Sequence, residues 1–169
     1  MTIIGIAGPI AAGKSALAQA LIDHGVGTRA SFGAYVREVA YERGVHPSRD
    51  HLQRLGEELL NELGAIEFTD RALEGAVGND LVVDGVRHVA VSAALAARAD
   101  RYALVFVQLD DAQRRVRLEA REGHPIDLEA LDRHSTEREV ALLLADADLV
   151  VSGDETDAWR RVVALLSRE

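Results

Sequence analysis

Gly8-Pro9-Ile10-Ala11-Ala12-Gly13-Lys14-Ser15 is a complete G-x-x-x-x-G-K-[ST] pattern, and it stands directly behind the apolar run Thr2-Ile3-Ile4-Gly5-Ile6-Ala7. The pattern cradles phosphate when a buried strand, a glycine-rich turn and a helix follow one another, and that is the order here. The helix opens at Lys14 and carries Leu17, Ala18, Leu21 and Ile22. Backbone N–H groups through Ala11, Ala12 and Gly13, with the helix start at Ser15 and Ala16, form an anion cradle at the positive end of the helix dipole. The Lys14 ammonium is placed to reach the β/γ-phosphates, and the Ser15 hydroxyl to ligate Mg²⁺. Gly8 and Gly13 stand where a Cβ would obstruct the tight turn. The bland alternative is a chance glycine-rich strand–helix turn, against which stand the four matched fixed positions and the correct flanks. The implied ligand is a nucleoside triphosphate.

Outward from this motif, the chain has 169 residues, 48 % of them apolar, and a mean hydropathy of −0.01. That is the composition of one globular domain with a sizeable core, taken as residues 1–169. No apolar run approaches the ~20 residues that a membrane helix needs, so a membrane is not expected as a partner. Met1 leads straight into a strand without a basic leader, and the expected location is cytoplasmic. The absence of cysteine removes disulfides, thiolate zinc sites and cysteine nucleophiles together. A net charge of −9 argues against duplex nucleic acid as a partner. The histidines (His24, His46, His51, His88, His124 and His134) show no zinc-binding spacing.

Apolar runs alternate between strand-like and helix-like periods. A weak strand covers Gly25 to Ala30 and a helix follows from about Ala34 to Arg43. Ser48 can cap a helix whose Leu52, Leu55, Leu59, Leu60 and Leu63 share a face; Gly64 ends it, and a shorter helix runs through Arg71, Ala72 and Val77. Asp80 to Asp84 reads as a short buried strand, Val89 to Arg98 as a helix, Tyr102 to Leu109 as a strand and Asp111 to Arg121 as a helix. One long helix is expected from Leu128 to Leu144, a last strand over Ala147–Val151, and a terminal amphipathic helix with Trp159 in the core. Five strands separated by helices predict an α/β fold with a parallel sheet covered on both faces. Right-handed crossovers then bring the strand ends at Gly8–Ser15, Ser31–Gly33 and Asp84–Arg87 to one edge, where such sheets bind ligands.

Asp84, at the end of an apolar strand, is suited to the metal's carboxylate; a turn aspartate before Gly85 is the alternative. Arg87 can reach an acceptor phosphate across the same edge, and Arg37 can clamp it from the other side, because planar guanidinium groups bind phosphate bidentately. Arg117 and Arg121 lie four apart on one helix face, with Arg133 and Arg138 beyond the Gly123 break. Arginines on both arms of a helix–loop–helix fit a closing lid, or else a solvated face paired with Glu119, Glu122, Asp127, Glu129, Glu137 and Glu139.

Taken together, Gly8-x-x-x-x-Gly13-Lys14-Ser15, Ser31-Phe32-Gly33-x-x-x-Arg37-Glu38, Asp84-Gly85-Val86-Arg87 and Arg117-Leu118-x-Ala120-Arg121 resemble the nucleoside-monophosphate-kinase group of P-loop phosphotransferases, which includes adenylate kinases and dephospho-CoA kinases. The resemblance spans essentially the whole chain. It implies a three-layer α/β/α fold with the strand order 2-3-1-4-5, an acceptor-binding insert at about 34–75 and a lid at about 121–138. It implies ATP as donor and Mg²⁺ as cofactor. In those terms Gly8, Ala11, Ala12, Gly13, Lys14, Ser15, Ala16 and Arg117 hold the nucleotide, and Ser15 and Asp84 hold the metal. Ser31, Gly33, Arg37 and Arg87 line the acceptor site, and Lys14, Asp84, Arg87, Arg121 and Arg133 serve the transfer.

The chain departs from the group in two places. Dephospho-CoA kinases usually end the second strand on an aspartate, where this chain offers Ser31 and Ala34. Many relatives carry an Arg-Asp-Glu-Arg type of run where this chain reads His134-Ser135-Thr136-Glu137-Arg138. The leading expectation is a Mg²⁺-dependent kinase passing the γ-phosphoryl of ATP to a nucleoside or deoxynucleoside monophosphate, acting as monomer or homodimer. A hydroxyl-acceptor kinase and a slow ATP-hydrolysing switch remain as alternatives. Gln53, Glu57, Glu58 and Asn61 are candidate base contacts and equally the wet side of a helix.

Overall fold

A computed structural model describes residues 1–76, 80–133 and 135–167. Val77 and His134, both used in the sequence reading, lie outside the described residues. The apolar run before the phosphate motif forms β1 (Thr2–Ala7) at the centre of a five-stranded parallel sheet. It is flanked by β3 (Asp80–Val86) and β4 (Arg101–Gln108), with β2 (Thr28–Ser31) and β5 (Leu149–Ser152) outside them. The order β2-β3-β1-β4-β5 is the one expected from the resemblance.

Both faces of this sheet are apolar because both are covered. On one face Ile4, Ile6, Val82 and Val105 pack with Leu17 and Leu21 of α1 (Lys14–Asp23) and Val162 of α8 (Ala158–Leu166). On the other, Ile3, Val83, Leu104 and Phe106 pack under α2 (Phe32–Glu42), α3 (Arg49–Leu73) and α4 (Val89–Arg98). Burying each such side chain is worth roughly 1.5–3 kcal/mol. Trp159 is half-buried at the margin of the first face, its ring stacked on His24 with centroids 3.6 Å apart. No helix among the described residues is long and apolar enough to cross a membrane.

α2 begins at Phe32, two residues earlier than expected, because the Ser31 side chain caps it by accepting the Ala34 N–H at 3.3 Å. Gly64 breaks α3 as the sequence indicates, with φ 74° and ψ 165° inside the helical run. β3 runs past Asp84 through a bulge: Ile6 pairs with Asp84 and Ala7 with Val86, which leaves Gly85 unmatched. The bulge lets Val83 and Val86, three residues apart, both enter the same core layer while Asp84 ends at the functional edge.

The expected single helix from Leu128 to Leu144 is two helices, α6 (Leu128–Asp132) and α7 (Ser135–Leu143), with Arg133 as the C-cap of the first. The reason is what each must face. Leu128 packs with Ile10 and with Leu118 of α5 (Asp111–Glu122), and Asp132 pairs with Arg114 of α5. Glu137 and Val140 are also buried. In one straight helix Glu137 would point about 140° away from Asp132; the break lets both turn inward.

The phosphate motif is held by close backbone contacts at the ends of β4 and β5. A Cβ on Gly8, at φ +141°, would lie 2.2 Å from the Val107 carbonyl oxygen, and one on Gly153 would lie 1.6 Å from the Ala12 carbonyl oxygen. Both obstacles are backbone and cannot yield by a rotamer change. Gly153→Ala is therefore expected to lower the melting temperature by roughly 5–10 °C, the scale of overpacking against rigid neighbours. Calorimetry of the purified variant checks this; a shift within 2 °C of wild type would show that the two loops can separate freely.

Candidate functional site

The C-terminal strand ends and the helices above them enclose a cleft of about 1250 Å³. Its floor is the phosphate motif. The Lys14 side chain folds back beneath the loop, and its Nζ donates to the carbonyl oxygens of Gly8 and Pro9, each at 2.7 Å. Burial of the ammonium lowers its pKa to about 7; Arg87 pushes the same way, and the carboxylates of Glu137 and Asp84 oppose them. Gly13 opens α1 in a left-handed conformation, which turns the helix start toward the cleft. Ile10, Ala11, Gly13, Ser15 and Ala16 line the cavity; Gly8 and the fully buried Ala12 shape it from behind.

Ser15 Oγ donates to Asp84 Oδ2 at 2.8 Å, and Arg29 Nη2 donates to the same oxygen at 2.6 Å. The pairing follows from register, since Ser31 lies opposite Asp84 and Arg29 projects to the same side of β2 two residues earlier. The hydroxyl and carboxylate suit Mg²⁺, which takes oxygen ligands and uses few protein groups beside phosphate and water. Among the described residues no group of three or more His, Asp or Glu is placed to hold a metal alone. The donor set thus fits a cation shared with a phosphate ligand.

Across the cleft, Arg87 Nη1 donates to Glu137 Oε1 at 2.7 Å, and Glu137 Oε2 accepts the Ile10 N–H at 3.3 Å. Ser31, Gly33 and Arg37 line the side wall from the start of α2, beside an apolar surface of Phe32, Val36 and Phe68. Phe32 and Phe68 stack with centroids 5.4 Å apart. The Ser31 hydroxyl is engaged in its helix cap, so it meets the cleft mainly as a cap. Arg117 lies along the outer lip, with Nη2 3.2 Å from the Gly153 carbonyl oxygen and Nη1 3.5 Å from that of Ala11. Arg121 stands at the mouth, paired with Glu122 at 2.9 Å. Arg133 and Arg138 are exposed and do not line the cleft. The structure therefore brings Lys14, Ser15, Asp84, Arg87, Arg37, Arg117 and Arg121 together, and leaves the two later arginines outside.

Three residues in or under the site escape a reading of charge and motif. Arg29 sits in a weak strand, and only the two-residue parity with Ser31 points to it. Glu137 reads as a partner for solvated lid arginines, yet it is buried against Arg87. Arg114 is 4 % exposed; Nη2 donates to Asp132 Oδ1 at 2.6 Å and Nε to the Ile10 carbonyl oxygen at 3.0 Å. It ties α5 and α6 to the phosphate loop.

Comparisons with known proteins agree with this architecture. The model of a family described as an AAA domain, AAA_18, matches residues 4–141. A protein named UPF0200 protein from Methanothrix thermoacetophila is 32 % identical over 122 residues, 72 % of this chain and 66 % of the relative. The match thus spans just under two thirds of that relative's length. Among solved structures, TT1252 from Thermus thermophilus shares 21 % identity with a TM-score of 0.64, covering 98 % of this chain and 96 % of that one. A sugar kinase from Janibacter sp. HTCC2649 shares 17 % identity with a TM-score of 0.58, covering 98 % and 93 %. At these identities the two structures show the shared fold.

The Lys14 environment has a pH signature. Between its folded pKa of about 7 and its ordinary value of 10.5, the unfolded chain binds the proton that the folded one has released, so stability rises as pH rises through that window. Urea denaturation at pH 7, 8 and 9 is expected to show this rise in wild type and a flatter profile in Lys14→Met. Equal slopes in the two proteins would mean that Lys14 keeps its ordinary pKa.

Proposed function

The chain belongs to the AAA_18 family of AAA domains, a P-loop kinase-type family, and from that premise we propose that it transfers the γ-phosphoryl group of ATP to a small phosphorylated acceptor, a nucleoside or deoxynucleoside monophosphate. One observation carries the reading: the phosphate loop, the Ser15–Asp84 pair and the guanidinium groups of Arg29, Arg37 and Arg87 all border one cleft. A nucleotide switch needs the loop and the metal pair but has no use for cations on the opposite wall.

In this reading Lys14 and the loop amides hold the donor phosphates, and Arg117 on the outer lip lies against the donor's base. Ser15 and Asp84 would hold Mg²⁺, which when bound would supply positive charge to the phosphates. Arg37 and Arg87 hold the acceptor phosphate, with the Phe32–Phe68 surface beside it for a flat ring. A phosphate oxygen is already nucleophilic, so no strong base is required, and catalysis is positioning and charge stabilisation. The engagement of Asp84 supports this choice: its Oδ2 is held by both Ser15 and Arg29, and in this reading the carboxylate serves the metal, which leaves no separate carboxylate assigned as base for a hydroxyl acceptor. Residues 34–75 serve as the acceptor-binding insert and about 121–138 as a lid, with Arg121 its best-placed arginine. Arg133 and Arg138 could serve transfer only after the lid moves.

The test is incubation of the purified protein with Mg·ATP and a pooled panel of ribo- and deoxynucleoside monophosphates, dephospho-CoA, nucleosides and sugars, read by mass spectrometry. One nucleotide acceptor is expected to gain one phosphate. Arg87→Ala is expected to reduce kcat/KM for it by roughly 10²–10³, the scale of losing a charge-stabilising donor. Product on a sugar or nucleoside hydroxyl instead would replace the phosphate-acceptor reading. ATP binding with no product from any acceptor would favour a switch.

A further inference from the structure

Glu137 lies in the first turn of α7, yet it is only 8 % exposed and borders the cleft. A solvated helix-surface glutamate would point outward; this one is enclosed by groups that bind oxyanions. The Ile10 amide of the phosphate loop donates to Oε2 at 3.3 Å and Arg87 donates to Oε1 at 2.7 Å. Its charge also acts on the Lys14 ammonium. A loop amide, a guanidinium and an ammonium thus attend one carboxylate, at the junction between the phosphate loop and the acceptor wall. Two residues on, Glu139 meets His88 at 3.0 Å, so α7 is tied to two consecutive residues of the turn after β3.

We propose that Glu137 is a built-in phosphate mimic, its carboxylate occupying the oxyanion position between the Ile10 amide and Arg87 until an entering phosphoryl group displaces it. This rests on the reading of the cleft as a phosphate site. Two anions cannot share that position at low cost, because their repulsion in a poorly solvated cleft is much stronger than in water. Eviction of Glu137 transfers Arg87 from an internal partner to the ligand, so the acceptor-side cation is released only when phosphate arrives. Val140 and Leu143 remain buried in the core and anchor the rest of α7, which confines the movement to the first turn and loosens the Glu139–His88 contact.

Inorganic pyrophosphate is the probe, titrated calorimetrically into full-length wild type, Glu137→Gln and Lys14→Ala. Glutamine keeps the size and can still accept the Ile10 N–H, but it removes the charge. Glu137→Gln is expected to bind pyrophosphate about tenfold more tightly than wild type, as loss of one close repulsion predicts. In wild type, saturating pyrophosphate is expected to raise backbone hydrogen exchange over residues 136–139. Equal or weaker binding by Glu137→Gln, with binding lost in Lys14→Ala, would overturn the mimic and leave the phosphate site intact, with Glu137 reduced to a positioning residue for Arg87. Pyrophosphate binding that survives in Lys14→Ala would overturn both readings.

Discussion

The ammonium of Lys14 is the constraint on which the site is organised. A cation buried beneath a backbone loop loses most of its hydration, and the Gly8 and Pro9 carbonyl oxygens replace only part of it. The remaining cost is offset by Glu137 and Asp84 and worsened by Arg87. Each of these has its own partner: Asp84 holds Ser15 and Arg29, and Arg87 holds Glu137. The charged groups of the cleft therefore form one electrostatic set centred on a lysine that the fold cannot solvate. A phosphate ligand would complete that set.

The supports of this arrangement are mostly backbone. The loop is pressed between the ends of β4 and β5 by contacts that admit no Cβ at Gly8 or Gly153. From outside, Arg114 grips the Ile10 carbonyl oxygen while pairing with Asp132. Arg114 itself is buried while Asp132 stays partly open to solvent, so the pair holds a buried guanidinium against the loop from the solvent side. α5 and α6 therefore act on the loop's shape as well as covering it.

The sheet and the phosphate loop were legible because their signals are local. An apolar run, two fixed glycines and a lysine–serine pair specify strand, turn and helix within fifteen residues, and the alternation of strands and helices then implies the parallel sheet. Ser48 and Gly64 likewise announce a cap and a break by their own chemistry. What escaped depends on pairing between distant elements. Glu137 reads as one more acidic residue on a polar helix until α7 is placed against Arg87, fifty residues earlier in the chain. Arg29 acquires meaning only once β2 is set in register beside Asp84. The break between α6 and α7 has no glycine or proline to mark it; it arises because Asp132 and Glu137 are drawn to different partners.

The break at Gly64 lets α3 meet the cleft with two differently aimed segments. Ahead of it, Leu52, Gln53, Gly56 and Glu57 border the cleft while Leu55 and Leu59 are buried; behind it, the buried Phe68 borders the same cleft. The two segments join at a single left-handed residue, so a change of side chain in the first need not be transmitted as a rotation of the second. Drift at the polar positions Gln53 and Glu57 can therefore reshape one wall of the cleft while the aromatic wall keeps its place.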